Sequence, residues 1–173
     1  MIFRKLLYCM FLLVSAVLGT VCTAAQSTAS FTLQVSTKTP TFRVGEVVRI
    51  AITQTDVSNH PVSCDYAGGN AVNLIYDYHV TQEDGSPAEK VVWSKPVPPP
   101  YSYKQCAIGP GESSTDPIYL NNVYKFDKPG QYTVWVSRVD PDIEDESGKP
   151  LIVKSNTITI TVLPADATPP AKN

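Results

Sequence analysis

Histidine, cysteine and catalytic sequence motifs are scarce in this chain of 173 residues. It has two histidines and four cysteines, and it lacks a Gly-x-Ser-x-Gly elbow, a His-Glu-x-x-His motif and a glycine-rich phosphate loop. Hydrolase chemistry needs a nucleophile, a base and a group that orients the base. Because the sequence offers no such set, we expect a protein that is not an enzyme and carries no cofactor.

Basic segments and long apolar spans are also missing. The chain has 14 Lys and Arg against 16 Asp and Glu, a formal net charge of −2. Nucleic-acid binding is favoured by a basic patch, so mild acidity argues against a nucleic-acid partner. A membrane helix needs about 20 predominantly apolar residues. Only the N-terminal segment approaches that length, and no second hydrophobic span follows it.

The N-terminal segment has the features of a signal peptide. Arg4 and Lys5 form a positive n-region, residues 6–21 are uncharged, and Thr23, Ala24 and Ala25 supply the small residues that cleavage requires. Residues 1–25 are therefore predicted to be removed on export to the periplasm or the exterior. Lipidation of Cys22 is an alternative, but Val21 stands where a small residue is expected. We predict no stable membrane anchor after cleavage.

Signal cleavage would leave two cysteines, Cys64 and Cys106. In an oxidising compartment an isolated, even pair is most simply a disulfide. On the chain-entropy model such a link stabilises the fold by about 4 kcal/mol. A reactive or metal-binding thiol pair is the alternative.

The remaining chain alternates apolar and polar residues almost throughout. This period of two is typical of strands with one buried and one solvated face, and the enrichment in β-branched and aromatic residues agrees. The clearest segments centre on Leu33, Ile50, Tyr78, Val134 and Ile160. We found no convincing helical period and no internal repeat.

Turn residues separate these segments. Asp84-Gly85-Ser86-Pro87 predicts a turn between the Tyr76–Gln82 strand and a strand over Val91–Trp93. Six to eight strands in about 135 residues predict an all-β, antiparallel β-sandwich over residues 26–163. The Pro- and Ala-rich tail, residues 164–173, is predicted to be disordered.

The segment from Asp127 to Val134, Asp-Lys-Pro-Gly-Gln-Tyr-Thr-Val, resembles the entry to the penultimate strand of an immunoglobulin-like domain. The resemblance implies a sandwich of about seven strands, with Tyr132 as the tyrosine corner that hydrogen-bonds to upstream backbone. Two features depart from antibody domains. Val134 replaces the cysteine, and the strand at Leu74–Val80 has no tryptophan. The Cys64–Cys106 link would then join loops or edge strands.

A second set of segments occurs in order over the middle half of the processed chain, including Tyr76–Val80, Val92-Trp93-Ser94 and Gly109–Ser113. This set shows a fainter resemblance to bacterial proteinase-inhibitor domains of the BsuPI type. This resemblance supports the fold, and it raises a secreted protease inhibitor as an alternative function. The inhibitory segment would be the stiff Pro96–Gln105 loop.

Metal binding is weakly indicated. The acidic segment 140–148 offers Asp140, Asp142, Glu144 and Asp145 as oxygen ligands for calcium, but it lacks the glycine and late glutamate of an EF-hand. We interpret it as a solvated hairpin loop. His60 and His79 are interpreted as surface histidines, because their spacing from Cys64 does not suit a zinc site on strands.

Aromatic residues mark a candidate binding surface, formed by Trp93, Tyr101, Tyr103 and Trp135. Rigid sandwiches build binding surfaces from aromatic loops, and alternation places Trp135 on the face opposite Tyr132 and Val134. Trp135 is either covered by the tail or a neighbouring strand, or it marks an exposed apolar patch and hence a partner. The leading hypothesis is an exported binding or structural module whose partner is a protein or a cell-envelope component.

Overall fold

The computed structural model describes residues 28–64, 66–68, 75–92 and 102–165, with the backbone alone for 66–68 and 102–104. The segment 1–25, Trp93, Tyr101 and residues 166–173 lie outside the described residues. Expectations about cleavage and a disordered tail therefore stay predictions. In the described ranges, no helix has the length and hydropathy of a membrane span.

Twelve strands lie within the described ranges. In chain order they are β1 (Phe31–Ser36), β2 (Thr41–Arg43), β3 (Arg49–Asp56), β4 (Val62–Ser63), β5 (Tyr66–Gly68), β6 (Asp77–Gln82), β7 (Ser102–Lys104), β8 (Ala107–Ile108), β9 (Ser113–Tyr119), β10 (Gly130–Glu144), β11 (Pro150–Lys154) and β12 (Ile158–Leu163). A short 3-10 turn, Leu120–Asn122, follows β9. Val91 and Val92 are not in a strand, so that part of the Val91–Trp93 prediction is wrong.

Two antiparallel sheets form the sandwich. The first has the order β1-β3-β9. In the second, β10 pairs with β6 along one edge, and with β11 and then β12 along the other, while β2 joins β12 in parallel. Counting β11 and β12 as one interrupted strand gives seven principal strands, divided as in immunoglobulin-like domains. The predicted fold class is confirmed.

The core follows the predicted alternation. Phe31, Leu33 and Val35 point inward from β1, and Tyr132, Val134 and Val136 point inward from β10. Each fully buried Val, Leu, Ile or Phe side chain contributes about 1.5–3 kcal/mol relative to exposure. This burial fixes the register of the sheets, because a slip by one residue would turn every apolar side chain outward.

The tyrosine corner is confirmed. The Tyr132 hydroxyl donates a hydrogen bond to the Lys128 carbonyl, at 2.9 Å. Its ring packs edge-to-face on Phe126, with centroids 5.1 Å apart. The bond fastens the start of β10, the central strand of the second sheet, to the loop that leads into it.

Tyr132→Phe should lower the free energy of unfolding by about 1 kcal/mol, because it removes one partly buried hydrogen bond while the ring stays packed. Urea denaturation followed by circular dichroism would measure the change. Tyr119→Phe is the matched control, since Tyr119 is 45% exposed. Equal losses in the two variants would contradict a specific role for the corner.

Side chains cover part of the open edge of the first sheet. Asn156, in the break between β11 and β12, accepts a hydrogen bond from the Val35 N–H at 2.7 Å and donates one to the Val35 carbonyl at 3.0 Å. The side-chain amide of Asn156 thus makes the two hydrogen bonds that the backbone of a neighbouring strand would make with Val35. On the opposite edge, Pro117 lies in β9 and offers no N–H.

Candidate functional site

The outward face of the second sheet holds Trp135. It lies directly opposite His79 of β6 in the strand register. The two rings are stacked, with centroids 3.6 Å apart and planes 5° from parallel. From β11, the Lys154 Nζ lies 5.4 Å from the Trp135 ring centroid. Trp135 is therefore partly covered by neighbouring strands, one of the two outcomes predicted for it.

His79 is held in this stack by a further contact. Its Nε2 lies 3.1 Å from the Ser137 hydroxyl, the next outward residue of β10. Burial lowers the pKa of the His79 imidazole, and the positive charges of Lys154 and Lys90 add to that effect, while Asp77 opposes it. The neutral ring is thus favoured, which suits close stacking on an indole. His60, by contrast, is exposed as predicted.

An aliphatic pair extends this face. Val139 of β10 and Ile152 of β11 are cross-strand partners, and they are 47% and 58% exposed. Both lie on the same face as Trp135, since residues two apart on a strand share a face. We call His79, Trp135, Val139, Ile152 and Lys154 the outer patch. Single exposed apolar residues are ordinary, but an adjoining set on ordered strands is typical of an interaction site.

A cleft opens beside the outer patch. It has a volume of about 540 Å³ and lies between β6 and the segments 87–91 and 122–124. Tyr124 is one of its lining residues and donates a 2.6 Å hydrogen bond to the Tyr78 carbonyl, and burial raises the pKa of the Tyr124 phenol. Lys90 and Asn122 supply polar groups at the lining. The cleft is large enough for a small ligand.

A polar cluster lies inside the sandwich, and sequence reasoning missed it. The Arg138 guanidinium points inward from β10 and donates hydrogen bonds to Gln54 and to Ser63, the latter at 3.5 Å. Its Cζ atom lies 5.7 Å from the Phe31 ring centroid and 5.8 Å from that of Tyr76. The sequence did contain a signal for this placement, because the alternation that puts Val134 and Val136 inside also puts Arg138 on the inward face. Arg138, Gln54 and Ser63 thus form a hydrogen-bonded polar group at one end of the otherwise apolar core.

Asp116 is the acidic member of this cluster. Its carboxylate accepts a 3.0 Å hydrogen bond from the Tyr76 hydroxyl. Burial raises the pKa of the Asp116 carboxyl, against the smaller lowering effects of that bond and of Arg138. Burial and the Asp116 charge likewise raise the pKa of the Tyr76 phenol. The environment of Asp116 therefore favours its protonated form.

Because the pKa of Asp116 is raised, the difference in unfolding free energy between the natural protein and the Asp116→Asn variant should depend on pH. Protonated Asp116 stabilises the fold fully below its unfolded pKa, about 3.9, and that contribution is lost as pH rises through the folded pKa. The variant should therefore gain unfolding free energy relative to the natural protein between acid and neutral pH. Urea titrations at a series of pH values would measure it.

Asp84→Asn is the control of opposite sign. Hydrogen bonds from Ser86 lower the pKa of the exposed Asp84 carboxyl. Its contribution is present above the unfolded pKa and is lost as pH falls through the folded pKa. Parallel pH profiles for the two variants would contradict the assignment of Asp116.

The acidic segment differs from its interpretation as a solvated loop. β10 continues to Glu144, and Asp140 is completely buried. The Asp140 carboxylate accepts hydrogen bonds from the Ser30 N–H at 2.7 Å and the Ser30 hydroxyl at 2.6 Å. The turn itself is 145–149, where Asp145 accepts hydrogen bonds from Ser147 and Lys149. The interpretation therefore fails for Asp140, whose ligand capacity is used within the fold.

These bonds also bear on the weak calcium candidate. Asp140 accepts a hydrogen bond from the Ser30 N–H, and Asp145 accepts one from the Ser147 N–H. Asp142 and Glu144 are exposed. Within the described ranges, no group of three or more His, Cys, Asp or Glu side chains is arranged to hold a metal ion. The four residues are not brought together around one point.

Cys64 and Cys106 form the predicted disulfide, with Cα atoms 5.1 Å apart and a sequence separation of 42. The bond follows the short β4–β8 pairing, in which Val62 opposes Ile108. It joins two connecting segments at the side of the sandwich, as the immunoglobulin-like resemblance implied. The centres of the two sheets are not linked by it.

The predicted aromatic surface is only partly described. Trp135 is placed as above. Tyr103 lies in β7, where its backbone pairs with Ala67, and its side chain is outside the description. Trp93 and Tyr101 also lie outside it. Val139, Ile152 and Lys154 were not predicted as surface residues of this site. The period-two alternation of β10 and of the segment around residue 152 could have indicated that all three point outward.

Comparison with known proteins finds no matching family model and no matching curated relative. Solved structures show distant likeness. The chain is similar to a β-glucosidase from Listeria innocua at 13% identity and a TM-score of 0.42, covering 78% of this chain and 16% of the enzyme. It is also similar to the CARDB domain of a Pyrococcus furiosus protein, at 12% identity and a TM-score of 0.41. That match covers 78% of this chain and 93% of the CARDB domain.

A third similar structure is the Pseudomonas fluorescens alkylpurine DNA glycosylase AlkC, at 12% identity and a TM-score of 0.40. The match covers 78% of this chain and 30% of AlkC. The chain thus spans less than a third of either enzyme's length. The fold assignment rests on the strand order, register and tyrosine corner of this chain itself.

Proposed function

We propose that this chain is an exported, non-catalytic module that binds a protein of the cell envelope or extracellular space through the outer patch. The observation that carries the proposal is the cross-strand pair Val139–Ile152, which is exposed on ordered strands beside Trp135. Burial of apolar surface is the main driving force of protein association. The sequence supports export through its signal-like N-terminus, and it supports a non-catalytic role through its lack of catalytic motifs.

The composition of the outer patch suits a protein partner. Aromatic side chains are enriched at the centres of interfaces, and a polar rim surrounds them. Trp135 is fixed by the His79 ring and the Lys154 ammonium, so little side-chain freedom is lost on binding. Because neighbours lie against the indole from both β6 and β11, a flat stacking platform for sugar rings is disfavoured.

Site-specific photocrosslinking in exporting cells tests this function. A photoreactive phenylalanine analogue at position 152 should give a discrete protein adduct. The same analogue at position 47 is the matched control, because Val47 is 59% exposed but lies outside the outer patch. Adducts of equal yield at both positions, or none at 152, would refute the proposal.

Protease inhibition remains an alternative prediction. It was assigned to the Pro96–Gln105 loop, of which the structure describes only residues 102–105. An inhibition screen against serine and cysteine proteases at micromolar concentration would decide it.

A further inference from the structure

Charge changes sign along the β10–β11 hairpin. The far end is an acidic tip, which we define as Asp142, Glu144, Asp145 and Glu146, with Lys149 as its single cation. The near end carries Lys154 against Trp135, and Lys90 beside His79, with Asp77 as the neighbouring carboxylate. Between the two ends lies the exposed pair Val139–Ile152.

We propose that the outer patch is the interface of a weak, two-fold symmetric dimer of this chain. The proposal rests on the proposed function, since it names a second copy as the protein that the outer patch binds. A two-fold interface uses the same surface on both subunits, so that surface must complement itself. An apolar centre flanked by opposite charges meets this requirement.

The positions along the strand fit such an arrangement. The β10–β11 register shifts between Asp140 and Glu144, so Glu144 lies opposite Pro150 while Ser137 lies opposite Lys154. The Val139–Ile152 pair is therefore midway between Glu144 and Lys154, about 7 Å along the strand from each. With the two-fold axis at Val139–Ile152, two hairpins stacked face to face run in opposite directions. Glu144 of each copy then lies over Lys154 of the other. Opposite charges across an interface fix its register and exclude other arrangements.

Pairing of β11 edge to edge is the competing geometry for two copies. β11 has five residues, begins with Pro150 and ends with Lys154. Proline and lysine at an edge strand disfavour the addition of another strand. Ile152 also projects from the face of the sheet, so its apolar surface would stay exposed in an edge-paired dimer. Face-to-face packing is therefore the arrangement that buries it.

The size of the patch sets the expected affinity. The outer patch is about 20 Å long and two to three strands wide, about 10–14 Å, which gives a footprint of roughly 200–300 Å² per copy. This is below the range of stable interfaces, so the dimer should be transient. Its dissociation constant is expected at about 10–500 μM, a free energy of association near −5 to −7 kcal/mol.

Sedimentation equilibrium of the protein purified after export, with its disulfide intact, tests the proposal. The natural protein should self-associate between about 5 and 500 μM, and about 0.5 M NaCl should weaken it. Ile152→Asp should raise the dissociation constant at least about tenfold. Val47→Asp, which introduces the same charge at an equally exposed aliphatic residue outside the outer patch, should leave the dissociation constant unchanged. Circular dichroism would verify that both variants are folded.

Charge reversal identifies the geometry. Lys154→Glu should weaken association, and adding Glu144→Lys to it should restore association, because the exchanged charges meet again across the two-fold axis. A protein that stays monomeric throughout, or a double variant weaker than Lys154→Glu alone, would overturn the dimer. A crosslinked adduct at position 152 with a different protein would then leave the proposed function standing, whereas absence of any adduct would remove both.

Discussion

Replacing Cys64 and Cys106 together by serine should lower the free energy of unfolding by about 4 kcal/mol. The disulfide links two cysteines at a sequence separation of 42, and removing it enlarges the conformational freedom of the unfolded chain. This is a large part of the 5–15 kcal/mol that typically separates folded from unfolded proteins. Urea denaturation of the double variant and the natural protein would measure the loss.

Reduction supplies the control for this prediction. A thiol reductant should destabilise the natural protein toward the value of the double variant and should leave the variant unaffected. In the unreduced native protein, neither cysteine should react with a thiol reagent. Labelling of both thiols, or no effect of reductant on the natural protein, would show that the bond does not form.

Asp140→Ala should lower the free energy of unfolding by about 2–4 kcal/mol, the second large effect. The change removes a carboxylate that accepts hydrogen bonds from both the N–H and the hydroxyl of Ser30, in a completely buried position. Buried donors left without an acceptor cost more than the bond itself contributes. The measurement is urea denaturation at neutral pH.

Asp142→Ala is the matched control, since Asp142 is a nearby carboxylate that is exposed. Its effect should stay within about 0.5 kcal/mol, as for most surface substitutions. If the two alanine variants lost equal stability, the loss would come from the net charge of the hairpin. The hydrogen bonds between Asp140 and Ser30 would then not be what stabilises this part of β10.

Most of the sandwich could be predicted from the sequence because the fold is built on local alternation. Each principal strand has one face against the core, so a period of two appears directly in the order of residues. Tyr132 was identified because the corner is a local motif that acts over four residues. The disulfide was predictable because cleavage of the signal segment would leave only one pair.

The failures share a physical cause, which is that the deciding contact is distant in sequence. Asp140 looked like part of a loop because carboxylates and proline surround it, but its partner Ser30 is 110 residues away. Arg138 has the inward parity of Val136, yet its charge argues for solvent until Gln54, 84 residues away, is known to receive it. Local patterns carry no information on such pairings.

The outer patch shows the same limit in milder form. Ile152 and Val139 could each be placed outward from alternation, but their adjacency depends on the register between β10 and β11. The stacking of His79 on Trp135 depends on β6 pairing with β10 across more than 50 residues of sequence. A set of exposed residues becomes a surface only when the strand pairing is known.

The amide of Asn156 has a consequence for solubility. An uncovered strand in a β-rich protein is a template on which misfolded copies can grow into fibrils. By occupying both hydrogen-bonding groups of Val35, this one side chain removes the C-terminal end of β1 from such growth. Since Asn156 lies in the break between β11 and β12, the interruption of the last strand places the residue that blocks strand addition at this edge of the other sheet.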